Sequence, residues 1–198
     1  MELNPGEARF EADVDRWVPV PMAFPAPDWA TPAAWAAGVV ADLAPFWQLS
    51  ELQRADLEHT ALVVASTAPP LAGAIARFWH LPVEPDVSRV VHAYAEPAEP
   101  DWTEQIESWA TDGYEGAVFQ RSEELTSSVF ARLVRTAALW PIPGDEQGAA
   151  AAVLRVLGEL DGTIVVIEIL DMDIRVAARL FDPAVELAES VRFGPRAA

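Results

Sequence analysis

Apolar and polar positions recur at two different periods along this chain, and the switches between them mark out its elements. Within Phe10–Phe24, Val18, Val20, Met22 and Phe24 alternate with Pro19, Pro21 and Ala23. Proline has no amide to donate, so the pattern predicts an extended strand at a sheet edge. A helical period takes over after Asp28-Trp29-Ala30-Thr31-Pro32, where Thr31 can cap a helix and Pro32 suits its first turn. Trp35, Val39 and Leu43 line one face with Val40 beside them, and Pro45 closes the pattern near Ala44. Ser50-Glu51-Leu52-Gln53 then has the reciprocal spacing of a capping box and predicts a short helix ending near Glu58.

Thr60–Thr67, Ala74–Leu81 and Ser88–Ala95 read as strands, the last two separated by the turn-rich Pro82-Val83-Glu84-Pro85-Asp86. Pro100-Asp101-Trp102-Thr103-Glu104 predicts another capped helix, with Asp101 as cap, Trp102, Ile106 and Trp109 on its inner face and Gly113 at its end. Strand composition returns in Glu115–Arg121, Val129–Trp140, Ala151–Leu160 and Thr163–Leu170. Asp161-Gly162, between two apolar runs, is the strongest hairpin signal, because both turn residues need positive φ. From Asp171 to Val191 a helical face is formed by Ile174, Ala177, Ala178, Phe181, Val185 and Ala188, and Pro183 implies a kink or a fresh start capped by Asp182. Ile174–Leu180 also alternates as a strand would. No repeat or low-complexity linker interrupts the pattern. The expected fold is α+β: one domain over 10–193, an antiparallel β-sheet with helices packed on it and a C-terminal helix, flanked by flexible ends at 1–9 and 194–198.

The order of these elements resembles the PsbP-like fold. An extended aromatic segment ends in Pro27-Asp28-Trp29, a late hairpin follows the helices, and a last helix runs into Ser190-Val191-Arg192-Phe193, similar to that fold's Ser-x-Arg-Phe tail. The resemblance covers most of Phe10–Phe193, and the helix at Ser50–Glu58 departs from the simplest version of it. It implies binding and accessory roles in larger assemblies, although function resides in sites rather than folds.

Composition changes the picture in three ways. The 198 residues are 52% hydrophobic, enough for a substantial core. Thirty-one acidic against 13 basic residues give a formal charge of −18, with every basic residue an arginine. Such a surface opposes phosphate backbones and anionic lipid, so neither nucleic acid nor membrane is an expected partner. GC-rich coding and adaptation to high salt each account for this bias, as does complementarity to a basic partner. Finally, the absence of Cys removes disulfides, thiolate metal sites and cysteine nucleophiles. Met1–Glu7 lacks a basic or apolar leader pattern, and Thr60–Ala65 and Ile164–Leu170 fall short of the ~20 residues that span a bilayer, so the cytoplasm is the expected address.

Candidate chemistry is sparse. If Ala74–Leu81 and Ser88–Ala95 form a hairpin turning near Asp86, His80 and His92 come almost opposite one another and could line a ligand pocket. No third metal ligand accompanies them, so no metal is assigned. Glu168, Asp171 and Asp173 cluster where the hairpin meets the last helix; oxygen ligands for a divalent ion are one reading, and helix capping by Asp171 or Asp173 is the stronger. Ser122-Glu123-Glu124 reads as a solvated turn. Phosphate-loop, dinucleotide, His-Glu-x-x-His and Gly-x-Ser-x-Gly motifs are all missing, and with no lysine a Schiff base is impossible. No catalytic residue and no cofactor are therefore expected.

Eight tryptophans remain to be explained. Trp35, Trp102 and Trp109 belong to helix faces and fit a core. Trp17, Trp29, Trp47, Trp79 and Trp140 adjoin proline-rich or polar turns and are candidate contact residues for a protein partner, since Trp is enriched at interface hot spots. The leading expectation is a non-enzymatic protein-binding or accessory module for a more basic partner. A small-molecule binder or divergent enzyme near His80 and His92, and a structural subunit of a homo-oligomer, are the alternatives.

Overall fold

The computed structural model describes residues 8–81, 89–145 and 148–194. Residues 1–7 of the predicted N-terminal end (1–9), residues 195–198 of the predicted C-terminal end (194–198) and the Pro82–Asp86 turn lie outside those residues. Seven strands form an antiparallel sheet in the order β2-β3-β4-β8-β7-β6-β5. They are β2 (Trp17–Pro19), β3 (Ala76–His80), β4 (Arg89–Pro97), β5 (Val118–Leu125), β6 (Arg132–Pro141), β7 (Ala150–Leu160) and β8 (Thr163–Asp171). A small second sheet pairs β1 (Ala8–Phe10) with β9 (Val191–Phe193). The fold is α+β, as the pattern predicts.

Helices cover both faces of the large sheet. On one face lie α4 (Ile174–Arg179) and α5 (Phe181–Glu189), whose Ala177, Ala184 and Leu187, with Leu180 between the helices, pack on Val91, Leu154, Val156 and Ile167. On the other lie α1 (Pro32–Trp47) and α2 (Glu51–Ser66), seated over Trp79, and α3 (Ile106–Thr111), which follows a 3₁₀ turn at Trp102–Gln105. Central strands covered on both faces read as near-continuous apolar runs, which is why Ala151–Leu157 and Ile164–Leu170 show little alternation. Asp161 and Gly162 turn β7 into β8 with φ of 51° and 76°, the left-handed pair the dipeptide predicts.

Several expectations need correction. Thr60–Thr67 is not a strand, because α2 continues from its capping box to Ser66. Ala61, Val64 and Ala65 are its buried residues, a helical spacing that the β-branched composition masks. Pro45 does not end α1: it sits in the last turn, where its missing N–H costs only one hydrogen bond, and the helix runs on to a left-handed Gln48. The edge strand covers Trp17–Pro19 alone, although the Val20 amide still reaches the Arg77 carbonyl. Asp101 makes no side-chain cap, since the chain enters α3 through the 3₁₀ turn. Ile174–Leu180 is helical apart from Leu180, capped by Asp173, and Asp182 falls in the first turn of α5 rather than before it. Ala8 and Arg9, expected in a loose end, pair with Phe193 and Arg192.

Candidate functional site

The face beneath α1, α2 and α3 carries a rank of polar residues in direct register across six strands. Arg77 on β3 opposes His92 on β4, His92 opposes Glu168 on β8, and Glu168 opposes Arg155 on β7. Arg155 in turn opposes Thr136 on β6, which opposes Ser122 on β5. All but Ser122 are buried.

Glu168 is fully buried and its charge is well compensated. Oε2 accepts from Nε and Nη2 of Arg155 at 2.9 and 2.6 Å, and Oε1 accepts from the Tyr114 hydroxyl at 2.8 Å and, more loosely, from Tyr94 at 3.4 Å. Burial, and then the adjacent carboxylate, raise both phenols above their ordinary range, so each stays a donor. Arg155 also donates to the carbonyls of Trp109 and Asp112, at the end of α3. Arg77 does the same for α2, donating at 2.6 Å to the carbonyls of both Val64 and Thr67. Each buried arginine thus satisfies orphan carbonyls at a helix C-terminus and fixes that helix to the sheet. His92, between the two charged centres, is held neutral: burial and then the Arg77 charge lower its pKa to about 4, and its Nδ1 has no hydrogen-bond partner among the described residues. The buried members of the rank form a scaffold for the helical layer above them.

The two histidines are not a pair. His80 opposes Arg89 and His92 opposes Arg77, three positions away and on the other face, because the register of β3 with β4 differs from the one a hairpin centred at Asp86 would give. His80 packs edge-on against Trp17 at 4.8 Å. Nor do Glu168, Asp171 and Asp173 converge: Glu168 belongs to the buried rank, Asp171 pairs with Arg89, and Asp173 caps α4. Among the described residues no cluster of three His or acidic side chains could hold a metal. Glu123 and Glu124 lie within β5, not in a turn, where they pair with Arg135 and Arg132.

Of the five candidate tryptophans, Trp17 and Trp79 are interior, 2% and 0% exposed, and offer nothing to a partner. The edge position of Trp17 misled the pattern, since its ring turns inward onto Phe78, and α1 covers Trp79 with Trp35. Trp140 is half-buried, its ring tilted against that of Tyr114 at 5.1 Å and its indole N–H donating to the Glu115 carbonyl. Trp29 is half-buried against Gly38 of α1, where any side chain would collide with its ring. It borders an open hollow of about 450 Å³ between 19–29 and Trp35, which neither histidine lines.

Trp47 alone remains exposed, and it has company. Phe46 is 84% exposed, Leu52 73% and Trp47 39%, all around the turn from α1 to α2. Leu62 and Val63 are exposed further along α2, so five of the ten large hydrophobics exposed among the described residues lie in this one helical hairpin. The arrangement follows from the packing. Arg77 holds the hairpin at the C-terminal end of α2, where the buried Ala61, Val64 and Ala65 lie, and the first half of α2 contributes only the half-buried Leu57 to the core. The continuation of α1 past Pro45 carries Phe46 and Trp47 out with it. Phe46 and Leu52 were not singled out by sequence; the signal was an aromatic pair between a proline and a capping box.

No family profile matches this chain, and no curated protein matches it. Among solved structures it is similar to the solution structure of cyanobacterial PsbP from Synechocystis sp., over 65% of this chain and 78% of that one, at 12% identity and a TM-score of 0.40. The PsbP-like resemblance is therefore weak and confined to the fold. Among the described residues no helix is long and apolar enough to cross a membrane.

Proposed function

We propose that this protein is a protein-binding accessory module of the cytoplasm that engages its partner through the tip of the α1–α2 hairpin. The observation that carries the reading is the exposure of Phe46, Trp47 and Leu52 together at a turn held away from the core. Single exposed hydrophobics are ordinary, but clustered aromatic and aliphatic side chains are what buried interface centres are made of. The polar rank supports it indirectly, by fixing α2 to the sheet so that the tip is presented on a rigid base. A pocket shared by His80 and His92 lacks its geometry, which removes the main support for the ligand-binding alternative.

Affinity capture of the tagged chain beside its Phe46→Ser/Leu52→Ser variant tests the proposal, with equal thermal midpoints showing that both are folded. A stoichiometric partner, reconstituted from purified components and lost by the variant, is the expected result. Identical captures from the two proteins would overturn it.

A further inference from the structure

Charge is distributed unequally between the two helical layers. Across residues 171–189 every acid has a partner: Asp171, Asp182 and Glu186 pair with Arg89, Arg135 and Arg16, Glu189 accepts from Ser127, and Asp173 caps α4. The opposite layer differs. Residues 32–66 hold four acids and one arginine, and residues 96–115 hold seven acids and no basic residue. All eleven acids are exposed, and none takes part in an ion pair among the described residues. The hairpin's one arginine, Arg54, is turned onto the Leu49 carbonyl.

The apolar hairpin sits within this uncompensated layer. Along α2, Leu52, Ala55, His59 and Val63 follow one another at spacings of three and four on the side turned away from the sheet, all exposed. The stripe begins in the first turn of α2, shortly after Phe46 and Trp47 in the chain, and spans roughly three turns, about 16 Å of helix. Glu51, Asp56 and Glu58 flank it. A second copy of this chain would bring the same unpaired acids against them, so self-association through the stripe is opposed by like charge.

Resting on the proposed docking role of the hairpin, we infer that its occupant is a basic amphipathic helix, lying along α2 with apolar residues on the Leu52–Val63 stripe and arginines or lysines over the flanking acids. Helix-on-helix docking uses the i, i+3, i+4 anchors that the stripe presents, and the acids would steer the approach and select against acidic partners.

The test uses the full chain and fluorescently labelled helical peptides of ~18 residues, read by anisotropy. One carries leucine on one face and lysine on the other, a second replaces the lysines by glutamate, and a third keeps the lysines without the leucines. The first should bind, more weakly at about 300 mM than at about 50 mM salt. Leu52→Ser/Val63→Ser should weaken it about tenfold or more, with the thermal midpoint unchanged. The glutamate peptide should not bind. Equal binding of the lysine and glutamate peptides, no binding of either, equal binding of the leucine-free peptide, or indifference to the double substitution would each overturn the inference. A dimer seen by light scattering and dissolved by the same substitutions would also overturn it, assigning the stripe to a second copy. If the lysine and leucine peptide fails while the Phe46→Ser/Leu52→Ser variant still loses its captured partner, docking at the hairpin stands and the basic helix does not.

Discussion

Burial holds the His92 imidazole neutral well below its ordinary range. Its pKa in the folded chain is about 4 against 6.5 in the unfolded one, so above pH ~6.5 neither state binds the proton. As pH falls from there the unfolded chain takes it up first and stability drops, until the native imidazole also titrates near 4. The loss over that window is up to about 3 kcal/mol. Urea unfolding across pH should show it, and His92→Leu should flatten that part of the profile; an unchanged slope would deny the imidazole its buried neutral state. Glu168 is the complementary case. Glu168→Gln leaves Arg155 buried with an uncompensated charge and should cost about 3–5 kcal/mol. Arg155→Met/Glu168→Met should lose less than the sum of its two single substitutions by about 2 kcal/mol, since the pair acts as a unit. Additive losses in a double-mutant cycle would contradict the Arg155–Glu168 geometry.

Among the elements, the β7–β8 hairpin and the α1–α2 hairpin show what local signals can and cannot decide. Asp161-Gly162 demanded two left-handed residues, and the structure has them. Gly162→Ala should therefore cost about 1 kcal/mol, lowering the thermal midpoint by about 2–4 °C, whereas Asp161→Asn should leave it nearly unchanged. A tolerated Gly162→Ala would mean that the turn is not left-handed at that position. For α2 the capping box was legible but the far end was not. The run from Thr60 to Val64 satisfies a strand and a buried helix alike, and contact with α1 and the Arg77 bonds to Val64 and Thr67 decide for the helix. The polar rank was not read from the sequence, which grouped Glu168 with Asp171 and Asp173 and did not single out Arg155. Single charged residues within apolar strands, Arg155 and Glu168 among them, announce a buried partner, but which partner follows from strand order.

For the molecule as a whole, the net charge of −18 and the eleven unpaired acids of one layer imply self-repulsion within the native state. Raising salt from about 20 to about 500 mM should screen it and raise the thermal midpoint by several degrees. Scanning calorimetry would check this, and a midpoint independent of salt would show that the charge is already locally compensated. A protein that unfolds unless salt is far higher would favour the salt-adaptation reading of its composition over complementarity to a partner.

Composition, capping residues and turn residues acted locally, and these were enough to determine the α+β class, most strand segments, the β7–β8 turn and the absence of familiar catalytic motifs. Three features depended on distant segments meeting: which face each tryptophan turns toward, which strands neighbour one another, and where apolar side chains remain uncovered. Trp17 and Trp79 look like Trp47 in the sequence, each beside a proline or a polar turn. The difference arises because β2 and β3 lie beneath other elements, while the α1–α2 turn extends beyond them. Exposure belongs to the packed assembly of elements, and no single segment encodes it.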